Sequence, residues 1–356
     1  MIDIGSIFPL YEIDLKASRF EIVEIPNEKK IFYSLCREAL YAIAKYNSTS
    51  EKIVLLPAYT CDTLITPFKE LGWTCYYYPV DLQLRIDVKE SVRLYNMCHA
   101  ALIVVHPYCG KDLSNEEINF LEAIHNRGCK IVVDLTQCIF SVQRLNCVDY
   151  YIGSYRKWFA IPDGGFLEPK DESEIFDTGL TNNEDFVSLQ YDAMYLRGLY
   201  FLNGNEIVKD ISRRLNKKAE RMIDTNIIPH RMSLFSYRLL NAEDVQKNQS
   251  KRFANYKYLL DNLIKVNKCK IVCSNMYEVT SAPLYFMFYS ENRSNLQKKL
   301  AEQHIYAPIL WPVVYDEVLV DDTTKFIYEN ILAIPIDQRY DEKDMEKIVE
   351  LIEKLS

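Results

Sequence analysis

Short, uninterrupted apolar runs alternate with helix-forming segments in this chain, and that alternation constrains its fold more than any other feature. Runs that are typical of buried strands include Ile53–Leu56, Ala101–Val105 and Lys130–Asp134. Helical spacing of apolar residues marks Arg37–Ala44 and Glu116–His125. Strands that are apolar throughout and separated by helices predict an α/β fold, in which a mainly parallel sheet is covered by helices on both faces.

The length of 356 residues suits a large domain with a smaller one attached. We expect an irregular N-terminal segment over residues 1–30 and a large domain over 31–241. A connecting helix and a small C-terminal α+β domain are expected over 242–356. In this last part the apolar runs and helical segments become shorter, which favours a separate small domain.

Charge and composition exclude several classes of protein. The net charge of −8 and the absence of a basic block argue against binding to nucleic acid or to an acidic membrane surface. No charged and apolar leader opens the chain, and the longest apolar stretch, Ala100–Val105, is too short to span a bilayer. We therefore expect a cytoplasmic protein whose ten cysteines are mostly free thiols in the core, with no metal site.

Polar side chains follow several of the predicted strands. His106 follows Val105, Asp134 ends a strand, and Ser154 lies just past another strand end. Ligands of parallel sheets bind beyond the carboxyl ends of the strands. These residues are therefore candidates for a binding site, although His106 would equally serve to cap a strand end.

Lys157 and Asp134 together indicate a particular chemistry. A lysine buried beside a sheet is costly unless it is neutral, paired or bonded, and a Schiff base to pyridoxal phosphate meets that requirement. The same cofactor needs a carboxylate under its ring nitrogen, which Asp134 would supply. The alternatives are a surface lysine beside Arg156 and an aspartate that caps a turn. The apolar residues Trp158 and Phe159 favour the buried lysine.

A phosphate group needs backbone N–H groups at a helix N-terminus together with hydroxyl or cationic donors. Cys36, Arg37 and Glu38 open the first predicted helix, and Ser154 lies three residues before Lys157. These residues are candidates to hold the cofactor phosphate. For Arg37 the alternative is a solvated residue at a helix start.

An ordered set of motifs carries a resemblance to a known family. The set comprises Arg37-Glu38-Ala39-Leu40, Leu56-Pro57-Ala58-Tyr59-Thr60-Cys61, Val105-His106-Pro107-Tyr108-Cys109-Gly110, Asp134-Leu135-Thr136-Gln137 and Ser154 to Lys157 before a Gly-Gly turn. Over about residues 31 to 170 this order resembles the pyridoxal-phosphate enzymes of the aspartate-aminotransferase fold (fold type I). More narrowly, it resembles the DegT/StrS group of sugar aminotransferases.

The resemblance implies a fold, an activity and a role for each residue. The fold would be a large cofactor-binding domain with a seven-stranded type of sheet and a small C-terminal domain, assembled as a homodimer. Lys157 would form the internal aldimine, Asp134 would pair with the ring nitrogen, and Gln137 would lie near the phenolic oxygen. Ser154, Cys36 and the Arg37-Glu38 backbone would hold the phosphate, and Tyr59 or Cys61 would lie against the ring.

The chain departs from the group's pattern at three positions. Ser154 lies closer to the lysine than in the group, Cys61 stands where an aromatic residue is usual, and Pro229 replaces an asparagine. The predicted activity is transfer of an amino group from an amino acid, such as glutamate, to a keto-sugar or related carbonyl acceptor. A lyase or desulfurase with the same cofactor, and a non-catalytic cofactor-binding protein, remain alternatives.

Two further residues are candidates for substrate binding. Trp311 would form a wall of the substrate pocket, with a core or interface position as the alternative. Arg339 would grip a substrate carboxylate with two parallel hydrogen bonds. A structural ion pair at the entry to the last helix is the alternative for Arg339.

Overall fold

A computed structural model describes residues 3–11, 30–48, 51–174, 176, 179–223, 226–266, 269–313 and 315–355. Most of the predicted N-terminal segment, residues 12–29, lies outside this description. The chain forms two compact units, the first comprising Met1–Ser6, Ser48–Asp149 and Asp244–Ser356 and the second Ile7–Asn47 and Tyr150–Glu243. None of the helices described is both long and apolar enough to cross a membrane.

The strands and helices are numbered in chain order. The strands are β1 (Ile31–Tyr33), β2 (Ile53–Pro57), β3 (Thr74–Tyr78), β4 (Leu102–Val105), β5 (Lys130–Asp134), β6 (Tyr150–Ser154), β7 (Gly165–Pro169), β8 (Thr181–Asn182), β9 (His230–Arg231), β10 (Lys270–Ile271), β11 (Tyr285–Tyr289) and β12 (Ile331–Pro335). The helices are α1 (Cys36–Tyr46), α2 (Asp62–Glu70), α3 (Val88–Cys98), α4 (Asn115–His125), α5 (Glu184–Asn203), α6 (Glu206–Met222), α7 (Leu234–Asn241), α8 (Val245–Leu263), α9 (Arg293–Glu302), α10 (Asp322–Asn330) and α11 (Glu342–Leu355).

The first unit contains a parallel sheet in the order β3-β2-β4-β5. All of its strand pairs run parallel, and every residue of β4 is buried. Such strands have no polar alternation because helices cover both faces. The register sets Val105 of β4 opposite Val133 of β5, so the residues that follow them leave the sheet side by side. The prediction of an α/β fold with parallel strands is confirmed.

The later part of the first unit forms a second, smaller sheet. Its antiparallel strands lie in the order β10-β11-β12, with Tyr289 opposite Ile331. Helix α8 packs against α11 and β11, and its buried face includes Tyr256 and Leu259. This arrangement agrees with the α+β character expected for the C-terminal segments.

The second unit contains a sheet in the order β6-β7-β1-β9-β8. Strand β7 runs antiparallel to both of its neighbours, and Gly165 at its start lies opposite Ser154 on one side and Tyr33 on the other. Helices α5 and α6 pack along each other and are joined at Gly204, which takes the left-handed conformation (φ +68°) that ends α5. The ends of β6 and β1 therefore meet at Gly165.

The cysteines are free thiols, as expected. Eight of the ten are buried, while Cys36 and Cys75 are partly exposed. Cys269 and Cys273 are both buried beside β10, in agreement with a core position.

Candidate functional site

Asp134 is a buried carboxylate at the carboxyl end of β5. Its side chain accepts a hydrogen bond from the Thr136 N–H at 2.8 Å and so caps the short helical turn Leu135–Gln137. Burial favours the neutral carboxyl, but the charge of His106 and hydrogen bonds from His106 and Thr136 outweigh it and lower the pKa of Asp134. Asp134 is thus a buried anion, which is what a protonated ring nitrogen requires.

His106 is the partner of Asp134. Its Nδ1 lies 3.2 Å from Oδ2 of Asp134, and its ring is buried. The parallel register of β4 and β5 brings the two residues together. Val105 pairs with Val133, and His106 and Asp134 are the residues that follow them. Among the residues described, neither ring nitrogen of His106 has a hydrogen bond of good geometry, so the contact with Asp134 is an ion-pair distance. His106 therefore lies beside Asp134, and its role at a binding site stays a prediction.

Gln137 lies on the turn that Asp134 caps. It is buried, and its Oε1 has no hydrogen-bond partner within the described part of the chain. A buried polar atom without a partner costs about 1 to 3 kcal/mol unless a water or a ligand supplies the missing bond. The predicted proximity of Gln137 to a polar atom of the cofactor fits this position.

Tyr59 and Cys61, the two candidates for the residue against the cofactor ring, are both in the turn between β2 and α2. The Tyr59 ring is fully buried and packs against Tyr108 and Trp311, with centroids 5.9 Å and 5.2 Å away. Cys61 is the residue before α2, and its Sγ lies 2.9 Å from Oγ1 of Thr63. The packing around Tyr59 leaves its ring inaccessible, so a ring-covering role for Tyr59 is disfavoured.

Trp311 belongs to the same aromatic cluster. Its indole is half-buried, and its ring centroid lies 5.2 Å from Tyr59 and 5.9 Å from His106, nearly perpendicular to the imidazole. His106 in turn contacts Asp134. Trp311 therefore lies one side chain away from the predicted cofactor carboxylate, which fits its predicted place in the wall of a pocket.

Arg339 does not have the free guanidinium that a carboxylate grip requires. Its Nε and Nη2 donate to Asp337 at 2.7 Å each, and Nη2 also lies 3.3 Å from the Ser6 carbonyl. The fork that would bind a substrate carboxylate is thus occupied by Asp337. The geometry favours the structural ion pair.

Lys157 ends the short helical turn Tyr155–Lys157 that follows β6. The prediction that its side chain is buried is wrong, because the side chain is exposed. The turn carries the lysine past the end of the strand, while the next residue, Trp158, is fully buried. The apolar neighbours therefore anchor the backbone and leave the amine accessible.

Ser154 and the N-terminus of α1 meet at Gly165. Ser154 is buried and directly opposite Gly165 in the β6–β7 ladder. A Cβ on Gly165 would lie 2.5 Å from the Leu35 carbonyl carbon and collide with the Cys36 nitrogen, so only glycine allows this approach. The backbone of Ser154 and the start of the eleven-residue helix α1 are thus both next to Gly165, an arrangement that is compatible with the predicted phosphate site.

Arg37 and Glu38 lie in the first turn of α1 and make different hydrogen bonds. The Glu38 carboxylate accepts from the Leu35 N–H at 3.3 Å and the His230 N–H at 3.1 Å, so it caps the helix. Arg37 donates through Nη1 to the Ile223 carbonyl at 2.6 Å, at the end of α6. Arg37 is therefore more than a solvated residue at a helix start.

Sequence reasoning gave no sign of Glu220. Its carboxylate accepts from Arg156 at 2.8 Å, and Arg156 immediately precedes Lys157. The two residues are 64 positions apart, and no local pattern links a helix residue to a turn so distant in the chain.

Solved structures of aminotransferases resemble this fold. An aminotransferase, TlmJ, from Streptoalloteichus hindustanus is 15% identical over 92% of this chain and 85% of its own, with a TM-score of 0.65. The sugar aminotransferase CalS13 from Micromonospora echinospora is 14% identical over 92% and 87%, with a TM-score of 0.64. The chain has the sugar aminotransferase fold.

A third solved structure has a similar fold. The PLP form of Spr1654 from Streptococcus pneumoniae is 12% identical over 92% of this chain and 86% of that one, with a TM-score of 0.64. No protein-family model and no curated protein sequence matches the chain. The aminotransferase fold, with the α/β architecture predicted from the sequence, is thus established by structure.

Proposed function

We propose that this chain is a pyridoxal-phosphate-dependent aminotransferase. The observation that carries the proposal is the ionised, buried Asp134 at the end of β5, held by His106, in a chain with the aminotransferase fold. The unpartnered Gln137 Oε1 and the glycine cradle under α1 support the same cofactor. Bound pyridoxal phosphate supplies an electron sink that stabilises a carbanion next to the transferred nitrogen.

Asp134 would hold a proton on the ring nitrogen. A carboxylate that stays ionised in a poorly solvated pocket attracts a protonated pyridine strongly. His106 keeps Asp134 ionised and fixes its orientation through the contact at 3.2 Å. Gln137 would donate to, or accept from, a polar ring substituent.

Lys157 would bind the cofactor carbonyl and move a proton at the substrate carbon. Both roles need an accessible amine on a fixed backbone, and Lys157 is exposed next to the fully buried Trp158. Ser154 and the first turn of α1, including Cys36 and Arg37, would hold the phosphate.

The amino donor is proposed to be an amino acid such as glutamate, and the acceptor a keto-sugar or a related carbonyl compound. The names of the structural neighbours TlmJ and CalS13 support an amino-transfer reaction. The half-buried Trp311 beside His106 would supply an apolar wall for the acceptor. We also propose that the enzyme is a homodimer, as the resemblance implies.

The test is spectroscopic. Purified protein mixed with pyridoxal phosphate is expected to gain the visible band of the lysine-bound cofactor, and borohydride reduction should leave the label on the peptide that contains Lys157. A panel of amino acids is then added singly. The expected donor bleaches the band and yields its 2-oxo acid. Failure of every amino acid on the panel to release a 2-oxo acid would refute the aminotransferase, and the Lys157→Ala protein serves as the control.

The structure does not favour a desulfurase. That reaction needs a mobile cysteine with an accessible thiolate. Burial is the main cause that raises the pKa of the Cys138 thiol to about 12, and its Sγ donates to the Pro107 carbonyl at 3.2 Å. Cys61 is buried just before α2. Release of sulfide and alanine from cysteine would overturn this conclusion.

A further inference from the structure

Arg156, the residue before Lys157, is held by two side chains of the helices α5 and α6. Its Nη1 donates to Oε1 of Glu220 at 2.8 Å, and Nη2 lies 3.4 Å from Oε2. The same Oε1 accepts from Nε2 of Gln190 at 2.8 Å. The Arg156 guanidinium also lies 5.9 Å from the centre of the Phe186 ring. A two-point ion pair of this kind fixes direction as well as distance.

Glu220 lies where several cations converge. Burial would raise the pKa of the Glu220 carboxyl, but the charges of Arg156, Arg37 and Lys157, with the hydrogen bond from Arg156, lower it. Arg37 is tied to the same end of α6 through the Ile223 carbonyl, at 2.6 Å. The carboxylate is therefore ionised within the field of the Lys157 amine.

The turn that carries Lys157 is held at both of its ends, and the Tyr155 ring packs against Phe32 and Phe166. Its first residue, Tyr155, donates its N–H to the Gly164 carbonyl at 2.8 Å, and Trp158 after the turn is fully buried. Between these anchors the Arg156 N–H makes only a long contact to the same carbonyl, at 3.4 Å. The side-chain pair with Glu220 is thus the strongest contact of Arg156 toward α6.

We propose that Glu220 is a positioning residue for Lys157: Gln190 orients the Glu220 carboxylate, which through Arg156 holds the turn so that the amine meets the cofactor carbonyl. The inference rests on the proposed function of Lys157. Glu220 touches neither substrate nor cofactor in this role. Its effect reaches the lysine through the backbone of one neighbouring residue and through its own negative charge.

Glu220→Gln keeps the size of the side chain and removes its charge. Glu206→Gln is the matched control, because Glu206 lies on the same helix with 69% of its side chain exposed. We expect Glu220→Gln to weaken pyridoxal phosphate binding about tenfold, as loss of one partly buried, charge-assisted hydrogen-bonded pair does. The visible circular dichroism of the bound cofactor should change as well, since it reports the geometry around the lysine.

A double-mutant cycle separates positioning from a general loss of stability. Arg156→Gln should reproduce the Glu220→Gln effect, and the double variant should be no worse than either single variant. Glu220→Asp keeps the charge and should restore most of the dichroism. The thermal midpoint of each variant is measured alongside. If Glu220→Gln folds poorly, the cofactor affinity and dichroism of Arg156→Gln, which loses the ion pair, are compared with those of Glu220→Asp, which keeps the charge.

The outcomes distinguish the two proposals. If wild type gains no lysine-bound band, the proposed function fails, and the inference with it. If wild type gains the band while Glu220→Gln and Glu206→Gln match it in affinity and dichroism, the inference alone is overturned. Additive effects of Glu220→Gln and Arg156→Gln would also overturn it, because the two side chains would then act separately.

Discussion

Nδ1 of His106 lies 3.2 Å from Oδ2 of Asp134, with both side chains buried at the ends of neighbouring parallel strands. The pairing of Val105 with Val133 fixes this contact, because it aligns the ends of β4 and β5. Strand register therefore places an imidazole, 28 residues away in sequence, beside the predicted cofactor carboxylate, and its loss should have a measurable effect.

Replacing His106 by Gln should destabilise the protein by about 2 kcal/mol at neutral pH, because the buried carboxylate of Asp134 loses the imidazole that lies beside it. The lowered pKa of Asp134 means that its stabilisation is complete above the unfolded carboxyl value of about 4 and is lost as pH falls through the folded value. In the variant this acid-side loss should be smaller, because the pKa of folded Asp134 then lies closer to, or above, the unfolded value. Urea unfolding from pH 3 to 7 measures both effects, with the exposed His99→Asn as control; identical curves for wild type and His106→Gln would contradict the expectation.

His230 should make stability fall as the pH rises. The hydrogen bond to Glu38 is the main cause that raises the pKa of His230, and it exceeds the opposing effect of burial. A raised histidine pKa contributes stability that is complete below about pH 6.5 and is lost as pH rises through the folded value. The free energy of unfolding, measured between about pH 5.5 and 8.5, should decline less in His230→Gln than in wild type. Parallel declines would show that the Glu38 contact does not govern this titration.

Gly165→Ala should cost about 3 kcal/mol of stability, because its Cβ would meet the backbone of Leu35 and Cys36, which cannot move without displacing α1. Gly72→Ala is the control, since Gly72 also has an unusual backbone (φ +73°) but open space around it. That control should lose only about 1 kcal/mol, from backbone strain. Denaturant unfolding compares the two, and affinity for pyridoxal phosphate should fall in Gly165→Ala alone. Equal losses in both variants would argue against close packing at Gly165.

Arg339→Gln should reduce stability by about 2 kcal/mol, because Asp337 loses a two-point partner in a mostly buried setting. The KM for the amino donor should stay unchanged, since the Arg339 fork is already occupied. Thermal unfolding measures the loss of stability, and steady-state kinetics measures the KM for the amino donor. A large rise in KM with unchanged stability would instead restore the carboxylate-binding role.

Local pattern accounts for most of the elements. Strands β2, β4 and β5 lie within a residue or two of their predicted bounds, because short apolar runs have no other stable place than a buried sheet. Helix α3 gives little signal, since its buried positions are only Ser91, Tyr95 and Cys98. A helix with so narrow and mixed a buried face is stabilised by its place against the sheet and by the Asp87 cap rather than by periodicity.

The amino-acid sequence alone determined the α/β class, the order of strands along the chain, and the positions of Asp134 and Ser154 at strand ends. Tertiary structure decided the contacts of those residues: His106 against Asp134, Asp337 in the fork of Arg339, Glu220 against Arg156, and the exposure of Lys157. The physical reason is the distance along the chain over which each kind of interaction acts. Hydrophobic periodicity and capping act over a few neighbouring residues, whereas charges and hydrogen-bonding atoms are paired by strand register and helix packing, which join residues that are far apart in the chain.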